Sequence, residues 1–528
     1  MDGINKLVDR LLTGRGVVAF WLLYALAFTL MLDAVSPGRT LQDALSAELL
    51  QNHLAGGYQL RNPPLYEWLL WTVQQVVGSG PLSYLLLRYA LFAAVGILFF
   101  MALARTIPDT RLAASFSLSL LLFYWFGWEA HHSVSHTLAL LALTLAFFIV
   151  ALAYAEERTV ARSLLLGFVI GLGLMAKWSF VLLLLSLGAA LALIPATRRL
   201  YADPRTLLVP LAVALPVAPF ALWLIDMHTG LLAGRAVPAG QAVPVERALQ
   251  GIFVFVTGIP LVFLPWIAFV AFYAWRNRRT QATSLARHDV AKIALLAAGI
   301  GVGLMAVVLI TATLAGAALF GISRFAIHYL YPFCLLAALG MAGIAAARVE
   351  RKRFGWALAL TSLVAALVIF CLKLASFYVL PTRSEATNLL PYARLAEALT
   401  ARGLGAAQFV TLSPREAGNL AIYLPQARAL SLSARIEPPP PDPVKDRPCV
   451  FLWGGESYVP PAAPTTTGPS PQRLLKPLGL GNRERDAEDI EVEWPKPLVG
   501  AERRSVWHVL KGAGIESLCR RLAATGML

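Results

Sequence analysis

Charge is scarce in this chain. Only 14% of its 528 residues are Asp, Glu, Lys or Arg, while 58% are hydrophobic, and the mean hydropathy is +0.65. Soluble domains carry about a quarter charged residues, so a protein built only of water-facing domains is excluded. Disorder is excluded as well, because it needs low hydrophobicity and high net charge. Cysteine is scarce, at four residues, which excludes a disulfide scaffold. The C-terminal part has no GxGxxG or GxxxxGK[ST] loop, and therefore no nucleotide-site signature. A polytopic membrane protein remains, with room for roughly ten spans plus a soluble domain.

What is abundant is long apolar sequence. A basic, amphipathic N-terminus, MDGINKLVDRLLTGRG, precedes an apolar run at 17–35. No small-residue cleavage site follows a short core, so this run is expected to be an uncleaved first helix. Further runs lie at 82–104, 112–127, 137–155, 163–176, 178–195, 206–226, 249–274, 291–319, 325–347 and 354–376, eleven expected spans with the first. Only Lys177 and Trp178 separate the fifth from the sixth.

Basic residues test this map. With the N-terminus inside, alternate loops hold Arg105 and Arg111; Arg158 and Arg162; Arg198, Arg199 and Arg205; Arg276, Arg278, Arg279, Arg287 and Lys292; and Arg348, Arg351, Lys352 and Arg353. The other loops are poor in Lys and Arg, which is the positive-inside pattern. The net charge of +15 is thereby accounted for without nucleic acid. An odd number of spans puts everything after about residue 377 outside. There the composition changes. SEATNLLPYARLAEALTARG predicts an amphipathic helix ending at Gly403. AAQFVTLS, ARALSL and PCVFLWGG predict strands, and GNLAIYL a short helix, so a small α/β domain is expected over 377–528 after a membrane domain over 1–376. Cys334 and Cys371 lie in apolar runs as small core residues, whereas Cys449 and Cys519 fall in the outside domain, where a disulfide can form.

Ionisable groups at outer helix ends are costly to desolvate and therefore informative. They gather in four places. The loop at 36–81 is too long for a plain connection. Within it, 40–54 predicts an amphipathic helix lying on the membrane surface, with Leu41, Leu45 and Leu49 on one face and Gly56-Gly57 as its stop. Its acids, Asp43 and Glu48, are five residues and so about 140° apart on a helix, and both cannot aim at one atom. Thr40-Leu41-Gln42-Asp43 also fits a capping box, a purely structural use of Asp43. The second place is WEAHHSVSH, with Glu129, His131, His132 and His136; His132 and His136 have the i, i+4 spacing of a helical metal pair, but hydrogen bonding to a polar substrate or to one another is the expected use. The third is Lys177-Trp178, a snorkelling turn or an anion-binding cation. The fourth is GISRFAIHYLYP, with Arg324, His328, Tyr329 and Tyr331, an interfacial belt or a second anion-binding group. An acid beside cations suits transfer from a phosphorylated lipid: the acid takes a proton from an acceptor hydroxyl and the cations hold the phosphate leaving group.

These pieces resemble a family. Gln42-Asp43-Ala44, Gln51, Gly57-Tyr58 and Pro63-Pro64-Leu65-Tyr66-Glu67-Trp68-Leu69 are similar to the first outer loop of the GT-C glycosyltransferases that use lipid-linked sugars. WEAHHSVSHT, GLGLMAKWSF and SRFAIHYLYP look like that family's second outer loop, its Gly-Leu-Gly element and its Arg-containing entry to a late span. The match runs over about 15–345. It is nearest the bacterial branch of the protein O-mannosyltransferase and lipid A aminoarabinose transferase superfamily, and resembles the rhizobial-type lipopolysaccharide galacturonosyltransferases.

The resemblance implies a GT-C fold of about eleven helices with a periplasmic α/β domain. It implies an inner-membrane glycosyltransferase, N-terminus cytoplasmic, that moves a sugar from a polyprenyl-phosphate donor to a lipid A, lipopolysaccharide or other cell-envelope hydroxyl. A flippase of lipid-linked sugar, a protein O-glycosyltransferase and a non-catalytic scaffold are the alternatives. Asp43, with Glu48, would be catalytic. Lys177, Arg324 and Arg61 would hold the donor phosphate. Tyr58, Tyr66, Glu129, His131, His132, His136, His328 and Tyr331 would line the substrate cavity. No metal or other cofactor, no nucleic-acid partner and a monomer are expected, with the lipid donor, the acceptor and membrane lipids as partners. Two departures stand out. Gln42 replaces the first acid of the family's pair, and Asn62, preceded by Arg61, replaces the Lys that precedes Pro-Pro in aminoarabinose transferases.

Overall fold

A computed structural model describes residues 2–36, 38–51, 53–60, 62–132, 135–232, 257, 266–273, 275–276, 288–314, 325–378, 390–432, 447–454, 487–493 and 504–524. The described helices are α1 (Asp2–Leu11), α2 (Gly14–Val35), α3 (Leu41–Leu50), α4 (Leu65–Val77), α5 (Pro81–Thr106), α6 (Thr110–Leu118), α7 (Tyr124–Gly127), α8 (His136–Glu156), α9 (Val160–Ala176), α10 (Phe180–Leu193), α11 (Pro195–Arg198), α12 (Leu208–Leu232), α13 (His288–Leu314), α14 (Phe325–Ala346), α15 (Arg351–Tyr378), α16 (Tyr392–Ala401), α17 (Pro414–Tyr423) and α18 (Ala513–Ala524). The strands are β1 (Gln408–Thr411), β2 (Arg428–Ser431), β3 (Cys449–Gly454), β4 (Glu488–Glu493) and β5 (Arg504–Leu510).

Among the described residues seven helices are long and apolar enough to cross a membrane, and up to nine spans result if two bent pairs count as one each. This is a multi-pass membrane protein. The expected runs at 112–127 and 178–195 become the bent pairs, turned by 73° and 106°. The run at 163–176 is a 17-residue helix, shorter than a full span. Most of the run at 249–274 lies outside the described residues. The described residues therefore do not set the expected number of eleven.

The chain divides into two compact units, one of residues 1–26, 60–66 and 88–369, the other of 27–59, 67–87 and 370–528. In the first unit, Trp21 is fully buried and its indole N–H donates to Ser117 Oγ at 3.0 Å, so its polar edge is satisfied inside the helical packing. Helices in lipid gain little from apolar burial alone, and close packing with internal hydrogen bonds takes over. Ion pairs join the basic loops to one another: Arg105 to Glu156 at 2.8 Å, Arg111 to Asp9 at 3.4 Å and Arg158 to Asp203 at 3.8 Å. The N-terminal helix and the loops after α5, α8 and α11 thus share one end of this unit.

In the second unit the five strands form a mixed sheet in the order β2-β1-β3-β5-β4, parallel across β2, β1 and β3 and antiparallel across β3, β5 and β4. The predicted strand, helix, strand, strand order of β1, α17, β2 and β3 is present, and α16 ends before Gly403, whose φ of +74° only glycine adopts without strain. Val410, Phe451, Trp453, Leu510, Ile515 and Leu518 form the core on one face, and Cys449 is disulfide-bonded to Cys519 across it, with Cα atoms 6.6 Å apart.

Two expectations change here. The boundary at 376 does not separate the sheet from the rest, because residues 27–59 and 67–87 pack with it. The helix after Thr40 stops at Gln51, which is itself left-handed at φ 41°, well before Gly56. Its polar side is the buried one: Asp43, Ser46 and Glu48 are covered together with Ala44, Ala47 and Leu50. Leu41 is exposed, and Leu45 and Leu49 are partly so.

Candidate functional site

In the second unit, Asp43 sits in the first turn of α3 with none of its surface exposed. The Thr40 hydroxyl accepts from the Asp43 amide at 3.3 Å and donates to its carboxylate at 2.9 Å. The capping arrangement therefore exists, and it orients the acid as well as starting the helix, where the helix dipole favours an anion. Glu48 is on the same helix and buried, and its carboxylate accepts from the Ser431 amide at 2.7 Å and the Ser431 hydroxyl at 2.8 Å. Glu67, a buried acid the sequence reading did not single out, accepts from Ser46 at 3.2 Å. Its signal was available: a Glu in the first turn of an apolar helix, inside the motif itself.

Tyr58 in the same unit accepts from the Ala55 amide at 2.9 Å and donates to the His53 carbonyl at 2.8 Å. Burial pushes its phenol well above the ordinary range, the Ala55 bond opposes this, and the Glu67 charge adds to it. The loop rigidifies around it, since the Trp68 indole donates to the Ala55 carbonyl at 2.8 Å. Arg39 clasps the start of the loop, with an ion pair to Asp33 at 3.0 Å and bonds to the Ser36, Gly38 and Pro81 carbonyls.

In the first unit the second outer loop and the α9–α10 turn come together. α9 ends at Ala176, and Gly173 lets the chain fold back, because a Cβ there would meet the Phe180 ring at 2.2 Å. Lys177 then projects from extended backbone. Its ammonium donates to Thr137 Oγ1 at 3.1 Å and lies over the Tyr329 ring at 5.1 Å. Trp178 donates to the Leu60 carbonyl at 2.9 Å. Tyr66 packs on His136 with ring centres 5.0 Å apart, and Tyr331 contacts His328 at 5.2 Å and Trp125 at 4.1 Å. Glu129 accepts from Tyr124 at 2.9 Å, and His132 Nδ1 lies 2.9 Å from the Trp128 carbonyl.

The predicted histidines therefore part company. His136 and His328 belong to the Lys177 side of the loop. His131 is buried with Nε2 3.2 Å from the Tyr24 hydroxyl and Nδ1 3.0 Å from that of Tyr89, inside an aromatic cluster with Phe92. Both ring nitrogens are engaged there. No group of three or more His, Cys, Asp or Glu that could hold a metal occurs among the described residues. Arg61 and Arg324 lie outside the described residues.

Residues 61–223 match the family model for dolichyl-phosphate-mannose-protein mannosyltransferase. The chain is 28% identical over 269 residues to the lipopolysaccharide core galacturonosyltransferase RgtA of Rhizobium johnstonii, a match that takes in 49% of this chain and 52% of that protein. It is 28% identical over 207 residues to RgtB of the same organism, with 38% of this chain and 41% of that one matched. The chain thus spans about half the length of the curated relatives it matches. Among solved structures it is similar to ArnT from Cupriavidus metallidurans in the apo state, with a TM-score of 0.59 and 13% identity over 96% of this chain and 99% of that one. Against the same protein bound to undecaprenyl phosphate the TM-score is 0.54, with 15% identity over 95% and 99%. The chain has the GT-C fold of ArnT, and its residues 61–223 carry the mannosyltransferase family's sequence pattern.

Proposed function

We propose that this protein is an inner-membrane glycosyltransferase that moves a sugar from a polyprenyl-phosphate donor to a hydroxyl of lipid A, lipopolysaccharide or another envelope glycan. The observation that carries the reading is Asp43, a carboxylate without exposed surface, fixed by Thr40 in the first turn of a short helix. Local similarity to lipopolysaccharide galacturonosyltransferases supports the acceptor class and makes a uronic acid the first sugar to test. The ArnT likeness supports the lipid donor, since that protein binds undecaprenyl phosphate.

Asp43 takes the proton of the acceptor hydroxyl as the new glycosidic bond forms and the sugar leaves the phosphate. Lys177 neutralises the phosphate released, assisted by Arg61 and Arg324. Tyr58, Tyr66, Glu129, His132, His136, His328 and Tyr331 contact the donor or the acceptor. The protein acts as a monomer. The N-terminus is cytoplasmic and the sheet periplasmic, a placement supported by the positive-inside pattern and by the disulfide, which suits an oxidising compartment. Mass spectrometry of lipopolysaccharide from a deletion strain names the missing sugar. Complementation with Asp43→Asn should leave it missing while the protein still accumulates in the membrane. Full restoration by Asp43→Asn would refute the mechanism.

A further inference from the structure

We infer that Glu48 is a positioning residue that fixes the helix of Asp43 to the main chain of the sheet's edge strand. The inference rests on the reading of Asp43 as the acid/base. A helix of ten residues is marginal by itself, so the place of α3 must come from tertiary contacts. β2 is an edge strand, paired with β1 alone in the described sheet, and along an edge the outward N–H and C=O groups recur on alternate residues. Two such residues are met by α3. The Ser431 amide donates to Glu48 at 2.7 Å, with the Ser431 hydroxyl adding a second bond at 2.8 Å, and the Ala429 carbonyl accepts from Gln51 Nε2 at 2.7 Å.

The other end of the helix is held as well. The Arg39 amide donates to Asn419 Oδ1 at 2.8 Å, and Asn419 Nδ2 returns a longer bond to the Arg39 carbonyl at 3.4 Å. Asp43 therefore lies between two anchors, four residues after one and five before the other. Glu48 is about 7.5 Å further along the axis and about 140° round from Asp43, so one helix can aim its two acids at different tasks. Because the Ser431 N–H and the Ala429 C=O are backbone groups, the helix is referenced to the sheet and not to a mobile side chain. A catalytic group displaced by about 1 Å loses about a hundredfold in rate, which is why the anchor matters.

The test uses the purified full-length protein, polyprenyl-phosphate sugars extracted from membranes of the parent strain, and lipopolysaccharide of the deletion strain as acceptor. Wild type, Asp43→Asn, Glu48→Ala, Glu48→Gln and Ser431→Ala are compared for kcat and for donor KM. Glu48→Ala should lower kcat by about ten- to a hundredfold with donor KM within about twofold. Glu48→Gln keeps an oxygen that can accept both bonds and should return kcat to within about fivefold of wild type. A Glu48→Gln protein as inactive as Asp43→Asn overturns the inference, because it makes Glu48 a reacting carboxylate. Wild-type kcat in Glu48→Ala overturns it equally. If Glu48→Ala does not fold, Ser431→Ala decides: a loss of about fivefold in kcat alone supports the anchor, and no loss overturns it. An active Asp43→Asn would instead bring down the underlying reading and leave the comparison of Glu48 variants intact.

Discussion

Replacing one hydrogen atom by a methyl group at Gly418 should abolish most of the proposed sugar transfer. Helix α17 crosses α3 at this point, and a Cβ on Gly418 would lie 1.9 Å from the Ala44 carbonyl oxygen, 2.3 Å from its carbon and 2.4 Å from the Ala44 Cα. These are backbone atoms, so no side chain can swing aside. Ordinary contact begins at 3.4 Å, and the helices must separate by about 1.5 Å at that point. Overpacking of this kind costs about 1–3 kcal/mol in stability. Ala44 follows Asp43, so the displacement reaches the carboxylate, and for the proposed acid/base a shift of about 1 Å costs about a hundredfold in rate. Gly418→Ala is therefore expected to remain in the membrane, melt several degrees lower and transfer sugar about a hundredfold more slowly. The assay is transfer to lipopolysaccharide of the deletion strain, with melting followed by tryptophan fluorescence in detergent. Wild-type rate and wild-type melting together would refute the close crossing.

Two further outcomes follow from the same structure. Replacing both Cys449 and Cys519 by Ser opens a cross-link between residues 70 apart, worth about 4 kcal/mol on chain entropy, so limited proteolysis should cut the sheet domain faster while the membrane helices stay intact. His131→Phe keeps the ring but removes its bonds to the Tyr24 and Tyr89 hydroxyls, worth about 1 kcal/mol each, so the melting temperature should fall with donor KM unchanged; a selective rise in donor KM would place His131 in the substrate cavity.

Much of the fold was legible from the chain. Apolar run length marks the long spans, because it does not depend on distant contacts. The strands around Phe409 and Phe451 were legible because short apolar runs bounded by Gly and Pro leave few other uses. The bends near Phe123 and Ile194 were not, because hydropathy averages over a window and does not register a change of direction. The polarity of α3 was not legible either. Leu41, Leu45 and Leu49 mark one face of a helix, but periodicity does not say which face is covered, and here it is the side with Asp43, Ser46 and Glu48.

The sequence alone therefore determined that the chain is a multi-pass membrane protein and where the motif around Asp43 lies, since these rest on composition and local spacing. Tertiary structure decided what each polar residue does. His131 and His132 are neighbours in the chain, yet one is locked between two tyrosines and the other turns to a backbone carbonyl. Asp43 and Glu48 are both buried acids on one short helix, yet one is held by its own cap and the other by a strand more than 380 residues away. A carboxylate's role depends on which donors surround it once water is removed, and those donors come from parts of the chain that no local pattern connects.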